Sequence, residues 1–142
     1  MNPRILICDE VVSALDVSIQ AQILNLLNDL KKTRDISFIF ITHDLRVACY
    51  FCDTIAVMYR GTIVEEGPAQ NLFETAYHPY TKLLFKGALG EASATISEVK
   101  TSLEKEDACV FAHRCPHVNE QCTNKMPDFE QIASDHKVRC II

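Results

Sequence analysis

The chain has 142 residues, of which 48% are hydrophobic, and its formal net charge is −5. This length suits about one domain, or one small domain with an appendage, and the hydrophobic content excludes global disorder. The acidic balance and the scattered lysines and arginines argue against a nucleic-acid partner, and the longest apolar runs are far shorter than the roughly 20 residues of a membrane span.

The first half of the chain alternates between strand and helix patterns. Residues 4–9 are almost continuously apolar, a pattern typical of a strand covered on both faces, and residues 36–42 predict a second such strand. Between them, "VSIQAQILNLLNDLKKTRD" has apolar residues three and four positions apart and predicts an amphipathic helix. Asp44 is expected to cap a short helix that ends near Cys52. This order predicts an α/β fold with a parallel sheet.

The second half predicts a hairpin, a helix and a tail. "TIAVMYRGTIVEEG" indicates two strands around a tight turn at Arg60–Gly61, and "HPYTKLLFKGAL" indicates a helix with Pro79 near its first position. Residues 90–107 are polar and predict a linker. Residues 108–142 carry cysteines but too few apolar residues to hold themselves together. We therefore expect three segments, residues 1–89, 90–107 and 108–142.

Two adjacent acids, Asp9 and Glu10, follow the first strand. Open α/β sheets bind ligands at the carboxyl ends of their strands. An aspartate there can hold Mg²⁺, and the next residue can polarise a water beside that metal to hydrolyse a phosphoanhydride. An acid pair alone, however, more often starts a solvated loop, so the neighbouring motifs must decide.

Those neighbours occur in a recognisable order. "ILICDE", "SALD" and "FIFITHD" resemble the Walker B strand, the D-loop and the switch-histidine loop of an ABC-transporter nucleotide-binding domain. "AVMYRGTIVEEGPAQNLFETAYHPYTKLLF" is similar to the continuation in the oligopeptide and dipeptide importer ATPases. The resemblance covers nearly all of residues 3–142 and is weakest in the linker. It implies a partial P-loop NTPase fold with a small cysteine-bearing extension.

The resemblance also implies roles for individual residues. Asp9 would help hold Mg²⁺, and Glu10 would be the catalytic base. The D-loop, from Ser13 to Asp16, would contact a second ATPase subunit. His43 would contact the γ-phosphate of ATP and help to position the attacking water.

The chain departs from the family pattern in two respects. Val11–Val12 stands where the family usually has Pro-Thr. Among the four glycines, none belongs to a G-x-x-x-x-G-K-S/T phosphate loop, and no Q-loop or signature motif is present. We therefore expect a C-terminal fragment without appreciable ATPase activity of its own.

The resemblance implies a larger assembly around the chain. ATP and Mg²⁺ would be cofactors of the full-length protein. A second ATPase subunit and membrane permease subunits would be its partners, with a peptide-binding protein as an indirect one. The expected location is the cytoplasmic face of the inner (plasma) membrane, and the expected function is to power peptide import. The alternative is a non-enzymatic metal-binding or interaction module.

Four of the seven cysteines lie in the tail, at Cys109, Cys115, Cys122 and Cys140. Their pattern resembles the C-terminal extension of the peptide-importer ATPases, some of which bind a four-iron–four-sulfur ([4Fe–4S]) cluster, and four thiolates are the ligands that such a cluster needs. Structural zinc is an alternative, with a tail histidine (His113, His117 or His136) as a substitute ligand. Free thiols remain a third possibility, and disulfides are disfavoured in a reducing compartment.

Overall fold

A computed structural model describes residues 3–34, 36–90 and 107–141. The chain divides into two compact units, Met1–Cys52 and Asp53–Ile142, so the boundary falls inside the expected segment 1–89. Most of the predicted linker, residues 91–106, lies outside the described residues. Among the described helices, none combines the length and apolar content that crossing a bilayer requires.

The first unit is built from two strands and two helices in alternation. Its sheet is parallel, with Ile5 opposite Ser37 and Asp9 opposite Ile41. The predicted strand–helix order and the parallel pairing are therefore confirmed. In chain order, the elements are β1 (Ile5–Asp9), α1 (Val17–Thr33), β2 (Ser37–Ile41) and α2 (Leu45–Phe51).

Both helices of the first unit pack against the same face of the sheet. Leu24 and Leu27 of α1 are buried with Cys8 of β1 and with Phe51 of α2. The Asp44 carboxylate accepts hydrogen bonds from the first amides of α2, which confirms the predicted cap.

The opposite face of this sheet is apolar and exposed. Ile5, Ile7, Ile39 and Ile41 are each 49–64% exposed in the chain. The prediction that both strands are covered on both faces is therefore wrong for the described residues. Since side chains alternate along a strand, helices on one side leave every second residue facing away from them.

The second unit begins with the predicted hairpin. Strands β3 (Thr54–Tyr59) and β4 (Thr62–Pro68) pair antiparallel. The turn residues Arg60 and Gly61 both have positive φ, at 46° and 79°, as a tight two-residue hairpin turn requires. Helix α3 (Ala69–Thr75) follows, which the sequence analysis did not predict. Helix α4 (Pro79–Ala88) begins with proline at its first position, as expected.

The tail completes the sheet of the second unit. After a short 3-10 turn and helix α5 (Glu120–Asn124), strands β5 (Glu130–Ala133) and β6 (His136–Val138) form an antiparallel pair. Strand β6 also pairs with β4, which gives the strand order β3-β4-β6-β5. Val138 and Phe111 are almost completely buried. The tail is thus held through strand pairing with the hairpin, which its composition alone did not indicate.

Candidate functional site

The structure brings Glu10 and His43 together at the carboxyl end of the parallel strands. The Glu10 amide donates to the carbonyl oxygen of Ile41 at 2.9 Å, which continues the pairing of β1 with β2 by one residue. The Nδ1 atom of His43 lies 3.1 Å from Oε1 of Glu10, and both side chains are more than half exposed. A carboxylate can only accept, so the proton of this contact is on Nδ1 and the Nε2 side of the ring is available to a ligand.

The turn after β1 holds Glu10 in an unusual backbone conformation. Its φ angle is 48°, in the left-handed region that side chains disfavour. The amide and the hydroxyl of Ser13 both donate to the Glu10 carbonyl, at 3.1 and 2.9 Å. Val12 is buried in the core of the first unit and anchors the turn. Of the pair Val11–Val12, the second residue is thus an apolar anchor and the first is exposed.

The remaining predicted residues of this region are exposed. Asp9 is the last residue of β1 and lies on the sheet face that also carries Ile7. No described hydrogen bond or ion pair joins Asp9 to Glu10 or His43. Asp16 precedes α1, and its carbonyl, rather than its side chain, accepts from the helix, at 2.8 Å from the Gln20 amide. The carboxylate of Asp9 and the D-loop are thus accessible to a cation or a partner.

A second candidate site lies in the tail, where all four predicted cysteines line one pocket. The Cys109 amide donates to the Cys122 carbonyl at 2.8 Å, and Asn119 caps α5 through the Cys122 amide. All four thiols are free. The pocket is lined by Cys109, Cys115, Cys122 and Cys140, with His78 and His117 among the other residues.

Burial and mutual proximity raise the pKa of three of these thiols. Burial raises the pKa of Cys109 and of Cys115. For Cys140, burial and the charges of the other three tail cysteines raise the pKa to about 11. Thiolates that repel one another in a confined space are stabilised by a bound cation, so the donor set suits a thiophilic metal.

The cysteines nevertheless line the pocket without forming a ligand cage. Within the described ranges, no three His, Cys, Asp or Glu side chains are placed so that they could hold a metal ion. Of the three histidines considered as zinc ligands, His117 lines the pocket. His113 Nε2 lies 3.2 Å from the Tyr59 hydroxyl, and His136 Nε2 lies 2.9 Å from Glu65.

The sequence analysis missed a buried acid beside this pocket. Glu65 in β4 is completely buried, next to Val64, which is also buried. A bulge explains why two successive residues are buried, because Val57 pairs with Glu65 and Met58 with Ile63, leaving Val64 as the extra residue. In a strand without a bulge, side chains alternate between the two faces, so the sequence "VEEG" did not indicate that Glu65 would be buried beside Val64.

Comparison with known proteins decides which family the chain resembles. Residues 64–122 match the family model of the oligopeptide/dipeptide transporter C-terminal region. A peptide import ATP-binding protein of Brucella abortus (strain 2308) is 40% identical over 145 residues, which cover 99% of this chain and 43% of the relative. The predicted resemblance to the peptide-import ATPases is confirmed.

Other peptide import ATP-binding proteins match over the same extent. One from Brucella melitensis biotype 1 is 40% identical over 145 residues, 99% of this chain and 38% of the relative. One from Brucella ovis is 35% identical over 148 residues, 99% of this chain and 47% of the relative. The chain thus spans less than half the length of these relatives. The family match includes most of strand β4, helices α3 and α4 and three of the four tail cysteines.

The backbone of Glu10 gives a first prediction. Glu10→Gly should be more stable than Glu10→Ala by about 1 kcal/mol, because both variants lose the side chain and only glycine accepts a positive φ without cost. The matched control is Asp29, exposed within α1, where the glycine variant should instead be less stable than the alanine variant by about 1 kcal/mol. Urea unfolding measures both differences, and the same sign at both positions would contradict the left-handed assignment.

The buried His78 gives a second prediction. Burial lowers the pKa of His78 to about 4, although the nearby Glu65 charge acts in the opposite direction. In the unfolded chain the pKa of this histidine is near its ordinary value of about 6.5. The stabilisation that neutral His78 contributes is therefore present above pH 6.5 and is lost as the pH falls towards 4. The full loss is about 3 kcal/mol by linkage.

The matched variant for this test is His78→Asn. The His78 side chain accepts a hydrogen bond from the Tyr80 amide at 3.1 Å, and asparagine is a good cap that does not titrate. Unfolding free energies at several pH values between about 7 and 4 should therefore fall more steeply in the unsubstituted chain than in the variant. Parallel pH profiles would show that His78 is not buried in its neutral form.

Proposed function

We propose that the first unit provides the magnesium-binding and water-activating half of an ATP-hydrolysing site, in a subunit that powers peptide import. The observation that carries this proposal is the 3.1 Å contact between His43 Nδ1 and Glu10 Oε1, at the end of two parallel strands. The similarity to proteins named for peptide import and ATP binding supports the same reading.

Each residue of this edge has a distinct role in the proposal. Asp9 contributes an oxygen ligand, directly or through water, to Mg²⁺, which when bound neutralises charge on the phosphate oxygens. Glu10 accepts the proton of the attacking water. His43 holds the Glu10 carboxylate through Nδ1–H, and its Nε2 atom would contact the γ-phosphate, to whose oxygens it donates only when the ring carries a proton on both nitrogens.

The proposed site is completed by other components. The sequence contains no phosphate-loop pattern, so ATP binding draws on residues beyond these 142. The exposed D-loop, from Ser13 to Asp16, would contact a second ATPase subunit. In the whole assembly, this subunit would lie on the cytoplasmic face of the inner membrane, membrane permease subunits would use its cycle, and a peptide-binding protein would deliver the cargo to them.

The pocket in the tail supports a second proposed function, metal binding. Four free thiols that line one pocket are a suitable donor set for a [4Fe–4S] cluster or for zinc. Ligation would require these thiols to turn towards a common centre. Metal binding by the tail does not require ATP hydrolysis. It is therefore also the function expected under the alternative, a non-enzymatic metal-binding module.

The first proposal predicts the effect of removing the base. The chain is joined to the N-terminal part of the Brucella abortus relative, so that the fusion has the full length of a peptide import ATP-binding protein. This fusion should hydrolyse Mg-ATP, and Glu10→Gln should reduce turnover by about 100-fold or more, because the amide cannot accept a proton. Asp29→Asn, on the exposed surface of α1, should leave turnover unchanged.

Two results would contradict this account. The first is a Glu10→Gln fusion that turns over ATP as fast as the unsubstituted fusion. The second concerns the 142-residue chain without the fusion partner, for which we expect no appreciable hydrolysis. ATP turnover by that chain, abolished by Glu10→Gln, would show that the predicted inactivity is wrong.

The second proposal predicts a spectroscopic signature. Anaerobic titration of the reduced chain with Co²⁺ should give an intense sulfur-to-cobalt charge-transfer band that saturates at one metal per chain, with an intensity typical of four thiolates. Serine substitution at any of the four tail cysteines should weaken the band, whereas Cys49→Ser, in the first unit, should not. A missing band, or one that survives loss of the tail cysteines, would contradict the metal proposal.

A further inference from the structure

The Glu65 side chain connects three segments of the second unit. Its Oε1 atom accepts hydrogen bonds from the Tyr77 amide at 2.8 Å and from His136 Nε2 at 2.9 Å. Its Oε2 atom accepts one from the His78 amide at 2.9 Å. Both Glu65 and His136 are at most 3% exposed, so water does not compete for these contacts.

We propose that Glu65 is the positioning residue that assembles the four-cysteine pocket. It holds the turn before α4 and strand β6 together on strand β4. His78 and Pro79, at the start of α4, line the pocket, and so does Cys140, two residues after β6. The Glu65 carboxylate thereby fixes the two walls of the pocket, which are the start of α4 and the segment that follows β6.

The contacts require a carboxylate rather than an amide. All three partners present N–H groups, and an ionised glutamate offers only acceptors. In Glu65→Gln, the new NH₂ group must face an N–H donor of either the turn or His136. The variant keeps the size of the side chain but loses at least one of the contacts and leaves a donor unpaired in the interior.

The packing around the His136 ring also favours this contact. A β-carbon at Gly67 would lie 3.0 Å from Cδ2 and Cγ of the His136 ring, closer than side chains normally pack. The ring therefore rests on bare backbone, and the Tyr77 ring packs edge-on against it with centroids 5.3 Å apart. The imidazole is thus held in place from two sides while it donates to Glu65.

The neighbouring acid on β4 makes a different contact. Glu66 is partly exposed and forms an ion pair with Lys137 at 3.2 Å. Glu66 therefore provides a matched control in the neighbouring position of β4.

The test measures the alkylation rate of each cysteine by mass spectrometry in the reduced, metal-free chain under native conditions. Glu65→Gln should raise the rates of Cys140 and Cys115 by about tenfold or more, because the walls of the pocket separate more often. Cys8, buried in the first unit, should keep its rate, and an unchanged far-ultraviolet circular dichroism spectrum should exclude unfolding of the second unit. Glu66→Gln should leave all rates within about twofold of those of the unsubstituted chain.

A second variant addresses the tail side of the contact, in case Glu65→Gln fails to fold. His136→Leu removes the donor but keeps a side chain of similar size, and it should raise the Cys140 rate by a similar factor. Unchanged tail cysteine rates in a folded Glu65→Gln chain, or an equal effect of Glu66→Gln, would overturn the assignment. A rise at Cys8 that matches the rise at Cys140 would also overturn it.

A final readout rests on the proposed metal function. Where the unsubstituted chain binds Co²⁺, Glu65→Gln should reduce the thiolate band towards three sulfur ligands, and Glu66→Gln should not. A full band in the Glu65 variant would overturn the positioning role. No band in the unsubstituted chain would instead reject the metal proposal, and the alkylation rates would then decide on Glu65 alone.

Discussion

The in-register parallel pairing of β1 with β2 is the constraint on which the first unit depends. With Asp9 opposite Ile41, the residues that follow the two strands emerge at the same edge. The Glu10 amide continues the pairing, and His43 then lies within hydrogen-bond distance of the Glu10 carboxylate. A shift of the register by one residue would separate this pair and would turn the core residues of β2 towards solvent.

The second unit depends on its central strand β4. Strand β4 pairs with the hairpin partner β3 on one side and with the tail strand β6 on the other. A bulge buries Glu65 beside Val64, where a lone carboxylate would be costly without three hydrogen-bond donors. Those donors come from the turn before α4 and from the tail. The three contacts stabilise the buried acid, and they also hold the turn and the tail on β4.

The sequence predicted local elements well and long-range contacts poorly. The strands of the first unit, the Asp44 cap, the Arg60–Gly61 turn and the proline start of α4 follow from patterns a few residues long. Strand β6 depends on pairing with residues some seventy positions earlier, and its three residues carry no alternation that would reveal a strand. Sequence motifs indicated that Glu10 and His43 lie near each other, whereas no motif indicated that Glu65 is buried.

We propose that Asp9, Glu10 and His43 serve one site at the carboxyl end of the parallel strands, with Asp9 as the cation ligand. Paramagnetic broadening of amide signals by Mn²⁺, which substitutes for Mg²⁺ at oxygen sites, tests this claim most directly in the isotopically labelled chain. The account predicts that small amounts of Mn²⁺ broaden the signals of Glu10 and His43 first, and that Asp9→Asn abolishes this effect. Broadening centred elsewhere, or broadening that Asp9→Asn leaves unchanged, would contradict the account.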